Sequence, residues 1–152
     1  MSNKLDNEAR YRVVAGLGPL EPGQCEHWVR ETVQAVYGDR YEDLMHTASP
    51  DGSVSAVTVA RAWLRHPPAG VVVIETSDPA QTQVGDLLYK RRGSGGFGHV
   101  GIRVVGNKVA ENSSTRSGRV HGALGFRYLL RGEAPSAAAW FGAFDLVVRL
   151  PA

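Results

Sequence analysis

The sequence predicts one α+β domain in which helices come first and an antiparallel sheet follows. Two patterns carry this reading. Between residues 24 and 65 apolar residues recur at spacings of three and four, the period of one helix face. From residue 71 onward the apolar runs are short, strand-like and separated by turn residues. Helices and strands do not alternate along the chain, as a parallel βαβ sheet would require. With 152 residues, 43% of them hydrophobic, the chain suffices for one buried core.

Taken in order, the first ten residues are polar and are expected to form a loose N-terminus. They lack the apolar stretch of a secretory signal, so the sequence predicts synthesis in the cytoplasm, with any work elsewhere needing another route. After the turn-forming Gly16, Gly18, Pro19, Pro22 and Gly23, the residues Cys25, Trp28, Val29, Thr32, Val33 and Val36 predict a helix over Gln24–Tyr37, closed by Gly38. A second helix is predicted over Val54–Arg65, with Ser53 as its cap, Val54, Val57 and Leu64 apolar, and Pro67-Pro68 ending it. Val71–Ile74 reads as a strand covered on both sides. Further strands are predicted at Asp86–Tyr89, Val100–Val105 and Lys108–Asn112, the last two joined by a turn at Gly106-Asn107, with a closing strand over Phe144–Leu150. No window approaches the ~18 apolar residues of a membrane-spanning helix, so no membrane insertion is expected.

Composition narrows the chemistry. Seventeen Lys and Arg against 15 Asp and Glu give a net charge of +2, scattered along the chain, so no nucleic-acid partner is expected. The single cysteine, Cys25, rules out a disulfide within the chain and a Cys-rich zinc site. Gly93-Ser-Gly-Gly-Phe-Gly98 fits the glycine pattern of nucleotide loops, but His99–Val105 behind it is strand-like where a dinucleotide site needs a helix. HRD and DFG strings are absent, so the kinase reading also fails. The glycines instead suit a loop at the edge of a site, where backbone passes close to a ligand.

Cys25 stands at the start of the first predicted helix, where free amides and the positive dipole end favour a thiolate. It also lies on the apolar face with Trp28 and Val29, the position of a plain core cysteine. A nucleophile needs a base, and His99, opening a strand among small residues, is the best placed histidine. His27, His46, His66 and His121 lie in less informative settings. A third group should orient the base and fix its tautomer. Glu111 and Asn112 both qualify, and turn length decides between them. A two-residue turn at Gly106-Asn107 puts Asn112 on the His99 face, whereas one residue more puts Glu111 there.

Together, Gly23-Gln-Cys-Glu-His-Trp-Val29, Gly85-Asp-Leu-Leu88, Gly98-His-Val-Gly-Ile102 and Val109-Ala-Glu-Asn-Ser113 resemble the NlpC-type and CHAP cell-wall peptidases, which are papain-like cysteine hydrolases. The likeness covers roughly residues 20–115. It implies a papain-like fold of helices packed on an antiparallel sheet, and cleavage of amide bonds in peptidoglycan, either as a stem-peptide endopeptidase or as an N-acetylmuramoyl-L-alanine amidase. It further implies Cys25 as nucleophile, His99 as base and Glu111 as third residue, with no metal or other cofactor. The chain differs from the NlpC type in lacking His at the third position. It differs from CHAP sequences in placing Asn112 directly after the acid. Gln24, with the backbone amide of Cys25, is the candidate oxyanion donor. Arg116 and Arg119 are candidates for binding stem-peptide carboxylates. The resemblance also suggests a protein reaching the wall as a phage lysin, in a virion or as an injected effector. The competing reading is a papain-like binding or assembly module in which Cys25 only packs.

Overall fold

The computed structural model describes residues 2–44, 55–92 and 94–151. The N-terminus departs from expectation: Ser2–Ala15 is a helix, α1. Leu5, Ala9 and Val13, four apart, form one buried stripe along it. The Asp6 carboxylate accepts the Val105 amide at 3.1 Å and pairs with Arg10, anchoring α1 to the sheet. Three well-placed apolar residues therefore outweigh a polar composition.

Helix α2 (Cys25–Tyr37) begins one residue after the sequence limit and is closed by Gly38 at φ 55. It buries Trp28, Val29, Thr32 and Val33. A short 3-10 turn leads into α3 (Tyr41–Leu44). Helix α4 (Ala56–Arg65) is capped by Ser55, whose hydroxyl accepts the Thr58 amide at 3.3 Å. The expected cap Ser53, and Val54 and His46, lie outside the described residues.

Seven strands follow: β1 (Val72–Ile74), β2 (Leu87–Lys90), β3 (His99–Val104), β4 (Lys108–Asn112), β5 (Arg119–His121), β6 (Leu124–Tyr128) and β7 (Leu146–Arg149). They form one antiparallel sheet in the order β1-β7-β2-β3-β4-β6-β5. The α+β class and the late sheet are as the sequence predicts. Strand β1 is not covered on both sides: it is an edge strand, paired only with β7, and Val72 is half exposed. Strands β5 and β6 carry too little alternation to have been foreseen. Among the described residues, no helix is long and apolar enough to cross a membrane.

Pairing register assigns side chains to two faces, since directly opposed residues share a face. Tyr89, Val100, Ile102, Ala110, Leu124, Leu146 and Val148 face the helices and form the main core with Trp28 and Trp63. Leu88, Val109 and Val147 point the other way, under Leu129, Phe141 and Phe144. The glycine-rich loop before β3 ends at Gly98, with φ +74. A Cβ there would lie 2.7 Å from the Lys90 carbonyl oxygen and 2.9 Å from the Val57 amide nitrogen. Urea unfolding of Gly98→Ala should accordingly show a loss of about 2 kcal/mol, from left-handed backbone strain and the backbone clash. An unchanged midpoint would contradict this packing.

Candidate active site

Cys25 is the first residue of α2 and is half-buried against the main core. The helix cap Gln24 makes no side-chain hydrogen bond, so the first-turn amides of α2 have no capping acceptor from it. The dipole argument for a thiolate is outweighed: burial, then the charge of Glu26, pushes the thiol up to about 11. Backbone amides of Val100 and Glu26 hydrogen-bond to the sulfur and oppose that shift. The Val100 contact puts the thiol beside the start of β3, directly after His99.

His99 and Glu111 lie on the sheet face away from the helices. The β3–β4 turn decides this: Val104 pairs with Lys108, leaving three residues in the turn, with Gly106 at φ 83 and Asn107 at φ 54. The longer turn sets the parity that brings Glu111, and not Asn112, to the His99 face. His99 Nε2 is hydrogen-bonded to Glu111 Oε1. Sequence reasoning missed the next member, Arg127 on β6, because only the β4–β6 register brings it to this face. Its Nε donates to Glu111 Oε2 and its Nη2 to Oε1 at 2.8 Å. Burial pushes the Glu111 carboxyl up, but the Arg127 and His99 hydrogen bonds and charges outweigh it and hold the pKa below the ordinary carboxylate value. Glu111 is thus a buried anion between two cationic or cation-forming groups. With Nε2 committed to Glu111, Nδ1 is the ring nitrogen left to take a proton.

Asn112 has a different task. On the helix-facing side its Nδ2 donates to the carbonyls of Pro19 at 2.8 Å and Glu21 at 3.1 Å, and its Oδ1 accepts the Gln24 amide at 3.3 Å. It therefore fixes the loop that delivers Cys25, and does not orient His99. The Gln24 side chain is exposed and lines a neighbouring depression with His27 and Arg30, outside the main cleft. Arg116 is exposed and Arg119 donates to the carbonyls of Thr115 at 2.6 Å and Ser114 at 2.7 Å. Neither lines the cleft; Arg119 instead stiffens the loop forming one of its walls. Of the other described histidines, His27 pairs with Glu31 at 3.3 Å, His66 closes α4 and His121 packs under Gly16.

Cys25 and His99 line one cleft of about 620 Å³, with Lys90, Arg92, Phe97 and Ser113 among its other walls. The glycine loop leads into β3, which starts directly at His99, and not into a helix. Phe97, in that loop, is two-thirds exposed and forms part of the rim. Cys25, at a helix start, and an imidazole oriented by Glu111 thus border one opening.

Glu26, next to Cys25, is wholly buried. Its Oε1 accepts the Tyr89 hydroxyl at 2.8 Å, and Tyr89 in turn accepts Trp63 Nε1 at 3.2 Å. Oε2 has no hydrogen-bond partner. Burial, opposed by Tyr89 and Arg30, pushes this carboxyl up to about 8, so near neutrality it is largely an uncharged acid. This chain tethers the start of α2 to β2 and α4.

No protein-family model and no curated protein matches the chain. Solved structures do. The crystal structure of Ly7917 aligns with a TM-score of 0.57 and 17% identity, covering 99% of this chain and 62% of that one. Ly7917 with the hydrolysing product of MDP gives a TM-score of 0.58 at 18% identity, covering 99% and 63%. A wild type endolysin, LysIME-EF1, gives 0.51 at 19%, covering 97% and 64%. The likeness establishes a shared α+β fold. This chain spans a little under two thirds of each of those chains.

Glu26 yields a prediction of definite sign. Its folded pKa lies above its unfolded value, so its stabilising contribution is complete below about pH 4.5 and is lost as pH rises to about 8. The melting temperature of Glu26→Gln, subtracted from that of the parent at each pH, should therefore move in favour of the variant across this window and level off above it. A pH-independent difference would mean that Glu26 is ionised in the folded protein.

Proposed function

We propose that the chain is a cysteine hydrolase of peptidoglycan amide bonds, of the papain-like NlpC and CHAP type. The observation that carries this reading is the His99–Glu111 pair, which orients an imidazole in the cleft that Cys25 also lines. The fold shared with an endolysin and with Ly7917, a protein solved with the hydrolysing product of MDP, supports the same substrate class. The scissile bond would lie within a stem peptide or at the sugar–peptide link.

In this reading His99 Nδ1 takes the Cys25 proton as sulfur attacks the carbonyl carbon. The Cys25 amide and a second donor hold the oxyanion. Collapse breaks the C–N bond, the imidazolium proton passes to the departing amine, and a thioester remains. Water, deprotonated by His99, then releases the carboxylic acid and the thiol. Because burial holds the thiol neutral, thiolate forms during attack and not beforehand. Glu111, kept anionic by Arg127, stabilises the transient imidazolium.

The raised thiol pKa also supports a second reading, a binding or assembly module with an inert cysteine. Release of new amines from purified peptidoglycan separates the two. The parent protein should release them. Folded Cys25→Ala and His99→Ala proteins should be slower on the order of 10³-fold or more. Absence of release across several wall chemistries, with a Cys25 that resists alkylation, would leave the module.

A further inference from the structure

The cleft is lined by Lys90, Arg92 and Arg127 and by no aspartate or glutamate among the described residues. Arg127 is neutralised by Glu111. Lys90 and Arg92 have no carboxylate partner among the described residues. Lys90 lies directly opposite His99 in the β2–β3 register, so the two side chains stand on one face about 5 Å apart at Cβ. Its ammonium donates to the Phe141 carbonyl and lies 4.2 Å from the centre of the Phe141 ring. Burial and then the charge of Arg127, opposed by the charge of Glu111, pull its pKa down to about 8. Arg92, on the strand's continuation, is exposed at the rim. The opposite wall offers Ser113, Ser114 and Thr115, which are neutral donors.

We propose that Lys90 and Arg92 form a carboxylate subsite beside His99, selecting peptidoglycan fragments with a free carboxylate close to the scissile amide over the same fragments as carboxamides. An anion there gives both cations an ion-pair partner, and its contact with Lys90 is sheltered from water by Phe141. The spacing from His99 places that carboxylate within one or two residues of the bond attacked, at roughly 3.3–3.6 Å per extended residue. The subsite takes the part expected of Arg116 and Arg119.

The inference rests on the hydrolase reading for the identity of the ligand, and the test keeps the two apart. Soluble peptidoglycan fragments are compared before and after conversion of their carboxyls to carboxamides with carbodiimide and ammonia. The parent protein should show kcat/KM on the order of tenfold or more higher for the free acids, the worth of a charge-assisted hydrogen bond. The ratio should fall toward one in Lys90→Met and in Arg92→Gln, the latter an exposed change that spares the fold. Equal rates in the parent, or a preference that survives in both variants, overturn the subsite and leave the hydrolase. If neither form is cleaved, the hydrolase reading fails. Equilibrium binding of both forms to Cys25→Ala protein then decides: tighter binding of the acids, lost when Arg92→Gln is added, supports the subsite, and equal binding overturns it.

Discussion

The arrangement around the cleft depends on a buried carboxylate. Moving a lone ion from water into a protein interior costs several kcal/mol, and Glu111 persists as an anion only because Arg127 grips both oxygens and His99 shares one of them. Three strands contribute one member each, so the ion network exists only when β3, β4 and β6 are in register. Phe141 closes over it, 5.6 Å from the His99 ring, and keeps the charges from dissipating into solvent. The geometry of the imidazole is thus a property of the whole sheet.

The two faces of the sheet divide the work. The helix-facing side carries Cys25 and its fastenings: Asn112 holds the loop before Cys25, and the Glu26–Tyr89–Trp63 chain holds the helix start. The opposite side carries His99 and the charges of Glu111 and Arg127. They meet only at the open end of β3, where Val100 touches the thiol and His99 lines the cleft. Adjacent residues of one strand point to opposite faces, which is how a single strand serves both halves.

Much of this was readable from local pattern. The α2 limits followed from apolar spacing and Gly38, and β4 from its place after the Gly106-Asn107 turn. The choice between Glu111 and Asn112 was reducible to one unknown, the number of residues in a turn, and Asn107 at positive φ belongs to the longer form. Other features were hidden for physical reasons. The Leu5, Ala9 and Val13 stripe was present, but a helix of such low apolar content is stabilised by the core it covers, which sequence alone does not display. Arg127 has no local signature, since its role comes entirely from a cross-strand neighbour. The thiol's neutrality depends on burial, which overrode the dipole argument.

Strand β7 lies between β1 and β2, although more than fifty residues separate it from either in the chain. The sheet therefore remains split during synthesis, with β1 lacking its only neighbour, until residues 146–149 have left the ribosome. Phe141, which closes over the ion network, and Phe144 beside it in the same apolar cluster arrive in the same late stretch. A nascent chain thus holds Cys25, His99 and Glu111 in sequence before the sheet that aligns them is complete. Alignment of the cleft therefore waits on the strand that is last in sequence but central in that part of the sheet.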